Sequence, residues 1–246
     1  MDFLGKDILV VGDSSGLGLA LTQSLLLDAN RVFGIARRTP KIQHSKFFHL
    51  NCDLKEVTAA QKMQEWLDSH SFSYDIIILN SGIGSMGFAQ NFNLAQIREL
   101  FEVNFFGLLK VFEFSIKKMQ AKNLGTVVVI SSLAAYRGLP ASGAYGSTKA
   151  ALTSLFESFK VDLQGTKIKI IQVFPYFVIT AMSNPRTRPS LLWTTADQAA
   201  LKILKKIKNG KSSISFPWPF HFFCKLMSIV PRSWSFSFWY FLKRGG

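Results

Sequence analysis

Tyr145-Gly146-Ser147-Thr148-Lys149 places a phenol and an ammonium four residues apart at the start of an apolar helical segment, and that spacing puts both on one helix face. A free phenol ionises at about pH 10, too high for proton exchange at neutrality, but a neighbouring ammonium favours the phenolate and is expected to lower that value. Alone, such a pair is more often structural than catalytic. Its company changes the balance. Ser132 lies thirteen residues earlier, just past the apolar run Thr126–Ile130, where a hydroxyl suits a substrate carbonyl. Asn104 sits in the middle of an amphipathic run and is a poor helix former, so its amide either has a task or faces water.

A second cluster could bind phosphate. Gly12-Asp13-Ser14-Ser15-Gly16-Leu17-Gly18 follows the first apolar run and leads into a helical one. Glycines there let the backbone turn sharply and approach a pyrophosphate, and free amides at the helix start attract its charge. A glycine triplet alone marks no more than a tight turn; strand, turn and helix in this order make it specific. Roughly 20 residues on, where an NAD enzyme has an acid for the ribose 2′-hydroxyl, the chain has Arg37-Arg38 instead. Paired guanidiniums suit a 2′-phosphate and so point to NADP(H), although either arginine alone reads equally well as a solvated surface residue.

Positioning these groups requires a sheet covered by helices. Apolar, β-branched runs recur at Ile8–Val11, Val32–Ile35, Phe47–Leu50, Ile76–Leu79, Thr126–Ile130 and Ile168–Phe174, with helical spacing between most of them. From Ile97 to Ile116 the spacing predicts one long amphipathic helix. Thr195 and Gln198 form a capping-box pattern for a helix burying Ala200, Ile203, Leu204 and Ile207. The 246 residues, 48% of them hydrophobic, suffice for one substantial core.

The formal charge of +14 calls for an anionic partner, and no Asp or Glu follows Asp197, so the excess lies toward the C-terminal end. No recognition motif for nucleic acid accompanies it, and no nucleic-acid partner is expected. Cys52 and Cys224 lack close-spaced partners, which argues against a disulfide framework or a metal site and for reduced thiols in the cytoplasm. The first residues do not resemble a secretory signal.

Taken together, these motifs resemble the short-chain dehydrogenase/reductase family, in its subgroup with a Gly-x-x-x-Gly-x-Gly turn, from about Lys6 to Phe216. The resemblance implies a Rossmann-type, doubly wound α/β fold: a parallel sheet of about seven strands with helices on both faces. It implies a catalytic tetrad of Asn104, Ser132, Tyr145 and Lys149, with Lys149 also on the nicotinamide ribose and Asn104 holding a water that links Lys149 to solvent. Gly12, Ser14, Ser15, Gly16, Leu17 and Gly18 would cradle the cofactor, and Asp53 would lie by the adenine. Asn80-Ser81-Gly82 matches the second half of the family's Asn-Asn-Ala-Gly motif, Pro175 opens a Pro-Gly position, and Thr180 stands where a threonine contacts the carboxamide. The implied activity is NADP(H)-dependent interconversion of a carbonyl compound and its alcohol, in a homodimer or homotetramer built through the helices carrying Asn104 and Tyr145. A protein of the same fold that binds NADP(H) without turnover is the alternative; such proteins commonly lose the Tyr or Lys kept here.

Three positions depart from the pattern: Val11 for a threonine, Leu79 for the first asparagine, and Tyr176 for the glycine after Pro175. Tyr176 is the consequential one, since a bulky ring there would reshape the nicotinamide end and the substrate entrance. Met182, Leu191, Leu192 and Trp193 fall in the region that covers substrate in this family, and they read equally as a cover for a lipophilic carbonyl compound or as packing on the core. Residues 1–216 read as the main domain and residues 217–246 as an aromatic, basic extension, too interrupted to span a bilayer. Phe222, Phe223, Leu226, Met227 and Val230 would form one apolar face there, beside Lys225 and Lys243-Arg244. That arrangement suits peripheral contact with an anionic membrane, or closure over the substrate pocket or a subunit interface.

Overall fold

The structure is a computed structural model that describes residues 2–85, 87–180, 193–231 and 233–234. Seven parallel strands form its sheet: β1 (Asp7–Val11), β2 (Arg31–Ala36), β3 (Phe47–Asn51), β4 (Ile76–Leu79), β5 (Gly125–Ile130), β6 (Ile168–Pro175) and β9 (Ser213–Phe216). Their order across the sheet is β3-β2-β1-β4-β5-β6-β9. A parallel sheet must be covered on both faces, which is why β1, β4 and β5 read as unbroken apolar runs and are buried throughout.

Alternate residues of each strand feed two separate cores. Leu9 and Val11 face α2 (Ala59–Ser69), α4 (Gly107–Ala121) and α5 (Gly143–Asp162), which bury Met63, Leu67, Val111, Phe112 and Phe156. Ile8 and Val10 face α1 (Gly16–Leu25) and α6 (Ala196–Lys208). The α6 expectation holds: the Thr195 hydroxyl accepts from the Gln198 amide at 3.3 Å, and Ala200, Ile203, Leu204 and Ile207 are buried.

Strand order reverses between β1 and β4, opening a crevice beyond their carboxyl ends. The glycine turn after β1 and Asn80-Ser81-Gly82 after β4 border it.

The structure departs from the sequence reading in four places. β9 is the seventh strand; its alternating serines gave no apolar run, although Ile214 and Phe216 are buried. The short pair β7 (Val178–Ile179) and β8 (Thr194–Thr195) was not anticipated either. The single helix expected over Ile97–Ile116 is α3 (Leu94–Phe101), a π-turn (Glu102–Phe106) and α4. Finally, α7 (Trp218–Ile229) divides the expected apolar face in two: Phe223, Cys224 and Met227 turn inward with Phe220, whereas Trp218, Phe222, Leu226 and Ile229 are exposed. Positions four apart share a face and adjacent positions do not, so Phe222 and Phe223 could not both face one way. Met182, Leu191, Leu192 and Lys243-Arg244 lie outside the described residues.

Candidate active site

The turn after β1 is built so that two chain segments can touch. Gly12 has φ of 90°, and a Cβ there would lie 2.7 Å from the Ser81 Cα; a Cβ on Gly18 would lie 1.9 Å from the Gly12 carbonyl oxygen. Any side chain at either position would force the crevice apart. Asn80 locks the approach, its Nδ2 donating to the Gly12 carbonyl at 3.0 Å. The N-cap residue of α1, Ser15, makes no side-chain cap bond, and the first turn holds no acid, so the helix start keeps amides for an anion. These features fit a dinucleotide pyrophosphate. Gly16 packs beside Thr180, which brings the expected carboxamide contact to the same crevice.

Arg37 and Arg38 are exposed just past the end of β2. Asp53 accepts from the Lys55 amide at 3.0 Å within its own loop. Between the glycine turn and β3 lies a contact without a motif: Asp13 is fully buried and its Oδ2 pairs with His49 Nδ1 at 2.9 Å.

The second cluster forms where α5 crosses the carboxyl end of β5. Lys149 is 3% exposed, and its amine donates to the Ile130 carbonyl at 3.0 Å. That amine stands 5.9 Å from the centre of the Tyr145 ring. Ser132 begins a short 3₁₀ turn, accepting from the Ala134 amide at 3.1 Å, and its side chain hydrogen-bonds with the Tyr145 phenol. Asn104 is fully buried inside the π-turn. Its amide donates to the Ile83 carbonyl at 2.9 Å and to the Thr148 hydroxyl at 3.2 Å, and its oxygen accepts from the Ile83 amide at 2.7 Å. The asparagine therefore staples the segment after β4 to α5. Gly82 is the joint: a Cβ there would come within 3.3 Å of the Asn104 oxygen and 3.6 Å of the Lys149 amine. All four expected residues thus meet, and Ile83 and Thr148 join them as partners that no motif announced. A polar residue within an apolar helical run was the available signal; π-turns of this kind occur often at functional sites.

One electrostatic expectation is reversed. Loss of solvation raises the Tyr145 pKa, and the Ser132 hydrogen bond only partly offsets that. The Lys149 ammonium lies over the ring rather than at the hydroxyl, and burial lowers its own pKa to about 8.

A cavity of about 440 Å³ is lined by Leu133, the residue after Ser132, and walled by Tyr176, Phe220, Phe223, Cys224 and Met227; none of the four site residues lines it. Tyr176 is there because α7 is there: its ring centre lies 3.7 Å from that of Phe220. Both cysteines are unpaired thiols, and burial pushes that of Cys224 up to about 11.

Residues 6–190 match the family model described as short chain dehydrogenase. An uncharacterized oxidoreductase of Myxococcus xanthus is 28% identical over 236 residues, covering 92% of this chain and 93% of that protein. A 3-ketodihydrosphingosine reductase of Bacteroides thetaiotaomicron is 26% identical, covering 82% and 77%. A short chain dehydrogenase of Burkholderia cenocepacia, solved in complex with NADP, superposes with a TM-score of 0.83 at 19% identity, covering 95% of this chain and 97% of that one.

Burying the Lys149 amine has a consequence for stability. Its pKa falls from 10.5 to about 8 on folding, so between those values the unfolded chain holds more protons and stability rises with pH. At about 1.4 kcal/mol per pKa unit, the charged amine costs roughly 3 kcal/mol at neutral pH. Lys149→Met should therefore unfold at higher urea than the wild type at pH 7, and the difference should shrink as pH rises past 8. Equal midpoints at both pH values would contradict this.

Proposed function

The chain belongs to the short-chain dehydrogenase family, a family of oxidoreductases that use nicotinamide cofactors, and from that premise we propose that it interconverts a lipophilic ketone or aldehyde and its alcohol with NADP(H). The observation that carries this reading is the meeting of the Ser132 and Tyr145 hydroxyls above a buried amine, at the edge of a crevice shaped for a dinucleotide. A nicotinamide bound in that crevice would supply the hydride in reduction and take it in oxidation.

The chain's own groups handle the oxygen. Ser132 hydrogen-bonds to the substrate carbonyl and holds it against Tyr145. As the carbon gains its hydride, the phenol gives its proton to the oxygen and becomes phenolate, which the adjacent Lys149 ammonium stabilises. In oxidation the phenolate takes the alcohol proton. Asn104 holds α5 and the segment after β4 in register, so the amine and phenol keep their places.

Arg37 and Arg38, exposed at the end of β2 with no acid in the expected position, support NADP(H) over NAD(H). The apolar cavity supports a lipophilic substrate, as does the relative named for a sphingoid ketone. Residues 217–246 are then an extension of the 1–216 domain, of which α7 walls the substrate site. Exposed Phe106 and Val161, near the helices that carry Asn104 and Tyr145, favour a homo-oligomer.

The outward face of α7 supports peripheral membrane contact as well. Trp218, Phe222, Leu226 and Ile229 are exposed along one stripe with Lys225, a surface suited to an anionic bilayer. No helix among the described residues is long and apolar enough to cross one.

In an assay of NADPH oxidation against aliphatic and isoprenoid carbonyl compounds, Tyr145→Phe should lose roughly 10²–10⁴-fold in turnover while still binding NADPH, and NADH should be the poorer cofactor for the wild type. Retained turnover in that variant would overturn the assignment. Full-length protein should co-sediment with phosphatidylglycerol-rich vesicles at low salt, and Trp218→Ser with Phe222→Ser should release it. Wild-type protein that stays in the supernatant would end the membrane reading.

A further inference from the structure

Asp13 is an unusual occupant of a phosphate-binding turn. It lies between Gly12 and Ser14, is fully buried, and leaves Oδ1 without a hydrogen-bond partner among the described residues. A buried carboxylate beside an intended phosphate site should repel it unless a cation sits close by. Two other residues make room for it. Gly34 in β2 has no side chain, and a Cβ there would lie 1.9 Å from the Asp13 Oδ2. His49 in β3 supplies the partner at 2.9 Å.

The contact continues outward. His49 Nε2 meets the Asn51 Oδ1 at 2.9 Å, and that same oxygen accepts from the Thr39 hydroxyl at 3.0 Å. Thr39 follows Arg38 directly. A chain of four side chains therefore joins the glycine turn to the loop carrying both arginines.

The chain favours one state of the imidazole. Asp13 offers acceptors, and Asn51 presents its oxygen to both His49 Nε2 and the Thr39 hydroxyl. With that orientation each ring nitrogen of His49 carries a proton. Burial pulls the His49 pKa down, but the Asp13 hydrogen bond and charge, with Asn51, outweigh it and hold the value above 6.5. Asp13 is the charged group facing the ring from the turn. On its own strand are Asn51 and, at 6.1 Å between ring centres, Phe47; from β2 comes only the bare Gly34; Arg37 and Arg38 on the adjoining loop are exposed.

We propose that His49 is a specificity-determining positioning residue: as an imidazolium it neutralises Asp13 and ties the glycine turn to the Arg37-Arg38 loop, so that preference for the 2′-phosphorylated dinucleotide depends on its proton. The inference rests on Arg37 and Arg38 as the 2′-phosphate site. When the imidazole deprotonates, the link to Asn51 or to Asp13 is lost, and the Asp13 charge is left facing the site. Affinity for NADP(H) then falls, whereas NAD(H), lacking that phosphate, is little affected.

The test measures dissociation constants of NADP⁺ and NAD⁺ by titration calorimetry at about pH 6.5 and about pH 9, above most of the ionisation of the 2′-phosphate itself. Lys149 titrates in this window too, but it sits at the end shared by both dinucleotides and cancels in their ratio. The wild-type preference for NADP⁺ should fall by about tenfold across the window, and His49→Gln should be low and flat. Arg37→Ala should reduce the preference at both pH values. A wild-type ratio that does not change with pH, with Arg37→Ala still lowering it, would overturn the role of His49 and leave the 2′-phosphate site standing. No effect of Arg37→Ala at either pH would remove that site and the inference with it. Should His49→Gln fail to fold, the wild-type profile decides alone.

Discussion

An amine kept out of water is the constraint on which the rest of this structure turns. Lys149 is almost wholly buried and, among the described residues, has one carbonyl for a partner and no carboxylate in an ion pair with it, so it is charged at neutral pH only at the expense of stability. Placing it there requires α5 to cross the end of β5 closely enough for its amine to reach Ile130. Helical spacing then sets Tyr145 one turn earlier on the same face, and the strand end delivers Ser132 to the phenol. Packing alone would favour an apolar side chain at that position.

The opposite wall of the crevice is shaped by what is missing. Gly12, Gly18 and Gly82 each stand where a Cβ would meet backbone, the Asn104 amide or Lys149. The π-turn aims Asn104 at Ile83 and Thr148 and so fastens this wall to the helix bearing the amine. Sheet topology explains why these groups converge: they flank the point where strand order reverses, the place where an open parallel sheet leaves room for a ligand.

Much of this was legible in the sequence because it is local. A run such as Ile76–Leu79 cannot be anything but a buried strand in this context, and Tyr145 with Lys149 needs only helical spacing to share a face. Contacts between distant segments left weaker marks. Asp13 and His49 lie 36 residues apart and form no pattern, although a glycine within β2 and an acid within a phosphate-binding turn were each anomalous. The sign of the Tyr145 shift was missed for a similar reason: spacing places an ammonium near a phenol but says nothing of whether it reaches the oxygen or lies over the ring. In α7, apolar residues fall on both faces, so spacing alone does not say which of them line the cavity; the contact between Tyr176 and Phe220 marks the inward side.

Without cofactor, loss of solvation keeps the Tyr145 phenol protonated, and the enzyme has no ready base. On the proposed reading, proton transfer near neutrality would require that the charge of an oxidised nicotinamide, together with Lys149, bring the phenol down. Carbon-13 NMR of ring-labelled tyrosine, with Tyr145→Phe to assign the signal, follows that ionisation directly. The account predicts a Tyr145 resonance titrating above pH 10 in the free protein and well below it when NADP⁺ is bound. A resonance that titrates at the same pH in both forms would contradict it.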